Sequence, residues 1–156
     1  MEETAKLDAT DRAIVRALQR EGRLSIQELS ARVGLSPSPC SRRLRLLEAA
    51  GVIGGYCALV DDRRVGYAFS AFVSVKLDKQ VDRALRRFEE AVGGFPEVVD
   101  CWLMTGDRDY LMRVVTEDLQ AFEAFITGKL TLVPVVASIE SSIPLRRVKA
   151  GLSRSI

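Results

Sequence analysis

The stretch Gly34–Gly51, GLSPSPCSRRLRLLEAAG, decides how the first part of this chain is interpreted. Ser36 belongs to the residue types that cap helices, and Pro37 follows it at the first helical position, where no amide hydrogen is needed. Pro39 still lies within the first turn and therefore removes no intrahelical hydrogen bond. The stretch predicts a short helix whose start is fixed by its two prolines.

This helix has an apolar side and a basic side. At about 100° per residue, Cys40, Leu44 and Leu47 fall within a narrow arc, and Arg43 lies on the flank. The far side carries serine and arginine side chains, namely Ser38, Ser41, Arg42 and Arg45. Acidic residues do not occur between Gly34 and Glu48, so we expect the positive charges to be unpaired within the helix and available.

Two further helices precede this one. Asp8–Glu21 has an apolar stripe with Gly22 just beyond its end. Ser25 and Glu28 have the spacing of a capping box, and Gly34 ends the second helix with a residue that accepts positive φ. A longer helix followed by two short helices joined by a tight turn is typical of a helix-turn-helix.

The position of the arginines favours DNA binding over a merely solvated charged face. The second helix of a helix-turn-helix enters the major groove, where arginine suits guanine and both arginine and serine suit phosphate oxygens. We predict base contacts by Arg42 and Arg45 and a phosphate contact by Arg43. The predicted DNA-binding residues are Ser36, Ser38, Ser41, Arg42, Arg43 and Arg45.

The segment that follows predicts a wing and then a change of architecture. GVIGGYCALVD has the paired glycines and weak alternation of a short strand or hairpin, and DDRRVGY is polar and turn-like. We therefore predict a winged helix-turn-helix domain over residues 1–60, a linker over 61–67 and a second domain over 68–156.

The second domain has the order strand, helix, strand, strand, helix, strand. The first strand is the alternating run Phe69–Leu77, and the helix after it has an apolar stripe of Val81, Ala84, Leu85, Phe88 and Val92. The next two strands are the runs EVVDCWLM and DYLMRVV, and TGDR between them is a hairpin signal. The second helix has Leu119, Phe122 and Ile126 on its apolar face, and the last strand lies in VPVVASIESSIPL. This order predicts a ferredoxin-like α+β fold with both helices on one sheet face. We expect a second copy of the chain to cover the open face.

Composition narrows the class of protein. The 156 residues carry a net charge of +2, three cysteines at wide spacing and no histidine. The odd number and wide spacing of the cysteines are typical of reduced thiols rather than of a disulfide framework. The lack of histidine excludes most zinc sites and all His-dependent catalytic triads, and we expect no metal and no cofactor. The acidic amino terminus does not resemble a secretory signal, and no apolar run is long enough for a membrane span, so we expect a cytoplasmic protein.

The order of these motifs resembles a known family. LDATDRAIVRALQREGRLSIQELSARVGLSPSPCSRRLRLLEAAGVIGGY is similar to the DNA-binding half of the Lrp/AsnC, or feast/famine, transcription regulators, and the rest resembles their sensing domain. The resemblance implies dimers that read pseudo-palindromic double-stranded DNA and assemble further into octamers or similar rings. It also implies that an amino acid or related small molecule binds in clefts between sensing domains.

The resemblance further implies an effector site around CWLMTGDRDYLMRV. Its candidate residues are Thr105, Gly106, Asp107, Arg108 and Asp109 in the turn, with Ser138, Ser141 and Ser142 on the last strand. An equally weighted alternative is that Asp107 and Asp109 only bond their own turn amides. Many family members have an aromatic residue where this chain has Arg108. The positive charge of Arg108 would either favour anionic effectors or pair with Asp107 or Asp109. We assign Trp102 and Tyr110 to core or interface.

Two other functions remain open. An architectural DNA-binding protein would need the same basic helix and the same oligomer. A few relatives of this two-domain plan are haem-precursor decarboxylases that rely on histidine, which this chain lacks. Asp107 and Asp109 are a conceivable acid and base, but no nucleophile or metal cage accompanies them. We therefore expect no enzymatic activity.

Overall fold

A computed structural model describes residues 6–149 of the chain. The chain divides into two compact units, one within the residues up to Leu59 and the other comprising Val60–Val148. Each unit has its own hydrophobic core.

Three helices make up the first unit. They are α1 (Ala9–Arg20), α2 (Ile26–Val33) and α3 (Pro37–Ala49). The predicted box between Ser25 and Glu28 forms at the start of α2, and Gly34 ends that helix with φ of 69°. A second capping box, between Asp8 and Asp11, starts α1. The helices enclose a core that consists of Ile14, Val15, Leu29, Cys40 and Leu47.

The predicted helix-turn-helix is confirmed, but the strand or hairpin expected after it does not form. Residues 54–61 adopt neither helix nor strand, and Gly55 has φ of 154°. A strand needs a hydrogen-bonded neighbour, and the described part of this unit contains only helices. Instead, the Tyr56 hydroxyl donates to Glu48 Oε1 at 2.8 Å, which holds the segment against the end of α3. Burial and then this carboxylate raise the pKa of Tyr56 to about 12.

The second unit is a four-stranded antiparallel sheet with two helices. Its elements are β1 (Phe69–Leu77), α4 (Asp82–Gly93), β2 (Val98–Leu103), β3 (Tyr110–Thr116), α5 (Leu119–Gly128) and β4 (Val136–Ser142). The strand order is β2-β3-β1-β4. This order confirms the ferredoxin-like plan. Short 3-10 helices at Asp62–Val65 and Leu130–Leu132 complete the regular structure of the described residues in this unit.

The alternation of β1 separates the two faces of this sheet. Ala71, Val73, Val75 and Leu77 are buried, and they pack in one core with Phe88 of α4 and with Phe122 and Phe125 of α5. Leu119 and Val81 lie outside this core, with 58% and 51% of their surface exposed. The prediction that both lie on the buried stripe of a helix is wrong, because Val81 is the N-cap residue before α4 and Leu119 is the first residue of α5. Phe125, which the predicted stripe omitted, is only 2% exposed.

The opposite sheet face carries the other residues of the alternation. Phe72 and Ser74 of β1 pair with Arg113 and Leu111 of β3. Trp102 of β2 pairs with Leu111 and is 45% exposed, so within a single chain it is not a core residue. Tyr110, in contrast, is buried and donates to Glu89 Oε1 at 2.8 Å, which confirms its assignment to the core.

Candidate nucleic-acid interface and effector site

The start of α3 leaves two serine hydroxyls exposed. Ser36 occupies the N-cap position, but its side chain makes no capping hydrogen bond. The predicted cap is wrong in this respect: Pro39 removes one of the two amides that a capping side chain can bond, and Ser36 does not bond the other. Ser38 is the only one of the first three helical residues with an amide hydrogen. Both hydroxyls lie at the exposed front of the helix.

The solvent-facing side of α3 carries two arginines. Ser38, Arg42 and Arg45 are exposed, whereas Cys40 and Leu47 are buried as predicted. Within residues 6–149, no carboxylate forms an ion pair with Arg42 or Arg45. Their charges are therefore available to a ligand in front of this face. Ser41 is half-buried and so lies on the flank rather than on this face.

Arg43 has a different environment from its neighbours. Its Nη1 donates to Asp8 Oδ2 at 2.7 Å and to Asp11 Oδ1 at 2.8 Å. The expectation that all three arginines are available is therefore wrong for Arg43, because its partners come from α1 rather than from its own helix. The hydrogen bond from the Asp11 amide and the Arg43 guanidinium hold the pKa of Asp8 below its usual value. Asp8 and Asp11 lie 35 and 32 residues from Arg43, and no sequence motif links them to it.

The turn between β2 and β3 is fixed by backbone hydrogen bonds. The Met104 amide donates to the Asp109 carbonyl at 2.8 Å, and the Asp109 amide donates to the Val75 carbonyl at 2.9 Å. Gly106 has φ of 112°, which favours glycine. The two strands pair antiparallel, so the predicted hairpin is confirmed.

Asp109 is a buried anchor of this turn. Its Oδ2 accepts from the Leu77 amide at 2.7 Å, and its Oδ1 accepts from Gln80 Nε2. The alternative in which Asp109 only bonds its own turn amides is therefore wrong, because its oxygens accept from Leu77 at the end of β1 and from Gln80 beyond it. The assignment of Asp109 to the effector site stays a prediction. Only 3% of Asp109 is exposed. Gln80 has no motif that would have identified it from sequence.

Arg108 reaches from the turn to β4. Its Nη1 donates to Ser138 Oγ at 2.8 Å, and its Nη2 donates to Glu140 Oε2 at 2.7 Å. The alternative in which Arg108 pairs with Asp107 or Asp109 is wrong, because Glu140 supplies the carboxylate. Glu140 was missed by sequence analysis.

The remaining effector candidates do not form one cluster. Thr105, Gly106 and Asp107 are exposed in the turn. Ser138 and Ser142 pair with Lys76 and Phe72 and share the open sheet face. Ser141 pairs with buried Val73, so it is directed to the face that carries the helices. Arg108 and Ser138 are thus the two predicted residues that the structure brings into contact.

Residues 6–149 contain neither a metal-binding cluster nor a membrane-spanning helix. No group of three or more histidine, cysteine, aspartate or glutamate side chains in residues 6–149 is arranged to hold a metal ion. Over the same residues, no helix has the length and apolar character that crossing a membrane requires.

Comparison with known proteins relates both units to transcriptional regulators. Residues 7–53 match the family model for winged helix-turn-helix DNA-binding domains, and residues 70–153 match that for the Lrp/AsnC ligand binding domain. The chain is 49% identical to the Bkd operon transcriptional regulator of Pseudomonas aeruginosa over 92% of this chain and 94% of the relative. It is 40% identical to the leucine-responsive regulatory protein of Rhizobium meliloti, over 92% of each chain.

Solved structures give the same result. A transcriptional regulator of Neisseria meningitidis in complex with L-Met superposes with a TM-score of 0.91 at 39% identity and covers 96% of both chains. An AsnC family regulator from Agrobacterium tumefaciens superposes with a TM-score of 0.87 at 36% identity, covering 95% of this chain and 96% of that chain. The chain therefore belongs to the Lrp/AsnC family of transcriptional regulators.

Proposed function

We propose that this Lrp/AsnC regulator reads DNA with the exposed face of α3. The observation that carries this proposal is that Arg42 and Arg45 share that face with Ser38, while the opposite face, with Cys40 and Leu47, is buried. Exposed arginines on the second helix of a helix-turn-helix suit bidentate contacts with guanine. Ser36 supplies a further hydroxyl that α3 does not use as a cap and that is suitable for a phosphate oxygen.

We further propose that an amino acid or a similar small molecule modulates this binding. The solved relative from Neisseria meningitidis contains L-Met, and the relative from Rhizobium meliloti is named for its response to leucine. In this chain the candidate site is the turn Met104–Asp109, which includes Arg108, together with Ser138 and Glu140 of β4. Thr105 and Gly106 are exposed there, and the positive φ of Gly106 lets the backbone approach a ligand.

The functional unit is proposed to be a homodimer that assembles further into octamers or similar rings. The open sheet face presents Phe72, Leu111 and the exposed Trp102, and the described part of this unit places both helices on the other side. A second copy laid on this face would bury the tryptophan and would pair two DNA-reading helices by two-fold symmetry.

We propose a regulatory rather than a catalytic role, carried out in the cytoplasm where the DNA target lies. The conceivable pair of Asp107 and Asp109 does not suit acid–base work, because Asp109 is buried and both its oxygens are engaged. The second candidate function is an architectural DNA-binding role without an effector. It would use the same face of α3, and it differs in predicting no response to small molecules.

Selection of binding sites from a random-sequence DNA library tests this proposal. We expect enrichment of a pseudo-palindromic motif whose half-sites lie about 10 base pairs, or a multiple of that, apart. The best enriched sequence is called the selected duplex below, and a shuffled version of it is the scrambled duplex. Failure to enrich any motif would contradict sequence-specific regulation.

Repeating the binding measurement with a panel of amino acids distinguishes the two candidate functions. A change in affinity for the selected duplex with one member of the panel would support sensing. A flat response at millimolar concentrations across the panel would favour the architectural role.

A further inference from the structure

We propose that Arg43 is a positioning residue for DNA recognition, which locks α3 to the start of α1 and does not contact a phosphate. A single guanidinium nitrogen bridges two carboxylates, with 2.7 Å to Asp8 Oδ2 and 2.8 Å to Asp11 Oδ1. Those partners lie 35 and 32 residues away along the chain. The contact therefore joins two helices that are distant in sequence within the first unit.

The two carboxylates are themselves fixed by the backbone of α1. Asp8 Oδ1 accepts from the Asp11 amide at 2.7 Å, and Asp11 Oδ2 accepts from the Asp8 amide at 3.2 Å. Each aspartate thus uses one oxygen for the capping box and offers its other oxygen to Arg43. Because the box holds both side chains, the position of the guanidinium is set relative to the first turn of α1.

The hydrogen bonds of Arg43 fix the orientation of α3, which apolar packing alone does not fix. Cys40 and Leu47 bury the inner side of α3, but apolar packing is non-directional and tolerates small rotations of a helix. Charge-assisted hydrogen bonds have defined distances and angles. Arg42 and Arg45 lie one and two residues from Arg43, so any rotation of α3 moves them relative to the bases.

The same arrangement opposes a phosphate contact by Arg43. Two carboxylates surround one guanidinium, so this small cluster carries a formal charge of −1 and repels an anion. The Arg43 side chain is 30% exposed. Arg42 and Arg45 are better placed to contact DNA, because no carboxylate of the described residues compensates their charges.

A double-mutant cycle tests the proposal, with the ratio of affinities for the selected and scrambled duplexes as its readout. This ratio cancels general electrostatic attraction, which acts on both duplexes. In the wild-type background, Arg43→Met is expected to lower the ratio by at least about fivefold, the lower end of what one bidentate base contact contributes. In the Asp8→Asn/Asp11→Asn background it is expected to lower the ratio by less than about twofold, because its partners are already gone.

The sign of the aspartate effect gives a second, independent readout. Asp8→Asn/Asp11→Asn removes two negative charges, so electrostatics alone predicts equal or tighter binding to both duplexes. The positioning role predicts weaker binding to the selected duplex relative to the scrambled one. Asparagine retains the capping ability of aspartate, which preserves the start of α1. Glu21→Gln is the matched control, since it removes a carboxylate from the Arg32–Glu21 pair of the same unit and is expected to leave the ratio unchanged.

Two results would overturn the proposal. One is an equal effect of Arg43→Met on the ratio in both backgrounds, including no effect in either, which is what a direct phosphate contact predicts because it acts on both duplexes alike. The other is an unchanged ratio in Asp8→Asn/Asp11→Asn, and this readout decides the matter by itself if Arg43→Met does not fold. The inference rests on α3 being the DNA-reading helix, which Arg42→Ala and Arg45→Ala test separately. If those variants weaken binding and the cycle fails, only the role of Arg43 is wrong.

Discussion

The guanidinium of Arg108 and the carboxylate of Glu140 form an ion pair across the end of the sensing-domain sheet, with Nη2 and Oε2 2.7 Å apart. The same guanidinium donates to Ser138 Oγ. The positive charge of Arg108 is thus already paired with a carboxylate of β4. A ligand bound in the turn would meet this ion pair rather than an isolated positive charge.

Loss of the ion pair between Arg108 and Glu140 is expected to change which effectors the candidate site prefers. Glu140→Gln removes the compensating carboxylate and leaves the guanidinium able to attract an anionic ligand. Because both side chains are partly exposed, we expect a gain of only about two- to fivefold in the affinity for L-glutamate relative to L-glutamine. Thermal shift titrations with the two amino acids measure this ratio. An identical ratio in wild type and variant would place the effector away from Arg108.

The buried carboxylate of Asp109 is expected to stabilise the second unit. Asp109→Ala leaves the Leu77 amide and the Gln80 side chain without their acceptor, which costs about 1–3 kcal/mol of unfolding free energy. Urea unfolding measures the loss. Asp107→Ala is the matched control in the exposed part of the same turn, and it is expected to change stability by less than about 0.5 kcal/mol. Equal losses for the two variants would contradict the anchoring role.

Acid is expected to weaken the first unit through Glu28. Hydrogen bonds from the Ser25 hydroxyl and amide lower the pKa of Glu28 below its ordinary value of 4.5. A lowered folded pKa means that this stabilisation is present above 4.5 and is lost as pH falls through the folded value. Thermal unfolding from pH 6 to pH 3 should therefore be less pH-dependent in Glu28→Gln, which retains the capping hydrogen bond. Parallel curves for variant and wild type would exclude this contribution.

The core of the second unit provides a test of the observed helix face. Phe125 lies 5.6 Å from Phe95 between ring centroids, in an edge-on arrangement, and is almost fully buried. Phe125→Ala is expected to cost about 3–5 kcal/mol. Leu119→Ala, at the exposed start of the same helix, is expected to cost less than about 0.5 kcal/mol. Similar losses in urea unfolding would show that α5 packs by another face.

Local signals in the sequence predicted most of the fold. The box between Ser25 and Glu28 and the prolines at the start of α3 act within one turn, so their spacing is visible in the chain. The alternation of β1 likewise predicted its buried face. The missing wing strand shows the limit of this reasoning, because a strand requires a pairing partner that composition does not reveal.

The functional contacts depended on pairs that are distant in sequence. Arg43 lies 32 residues from Asp11, Arg108 lies 32 from Glu140, and Asp109 lies 32 from Leu77. Side-chain type showed that each of these residues was able to bind a charge or a polar group. The fold decided which group it binds, and in all three cases the partner is within the chain.

The affinity of Arg42→Ala and Arg45→Ala for the selected duplex tests the central claim most directly. Each substitution is expected to cost about 1–3 kcal/mol of binding free energy on the selected duplex and much less on the scrambled one. Arg87→Ala removes the same charge from the exposed surface of α4 and is the matched control. We expect it to bind both duplexes like the wild type. Unchanged affinity of Arg42→Ala and Arg45→Ala for the selected duplex would contradict the assignment of α3 as the DNA-reading helix.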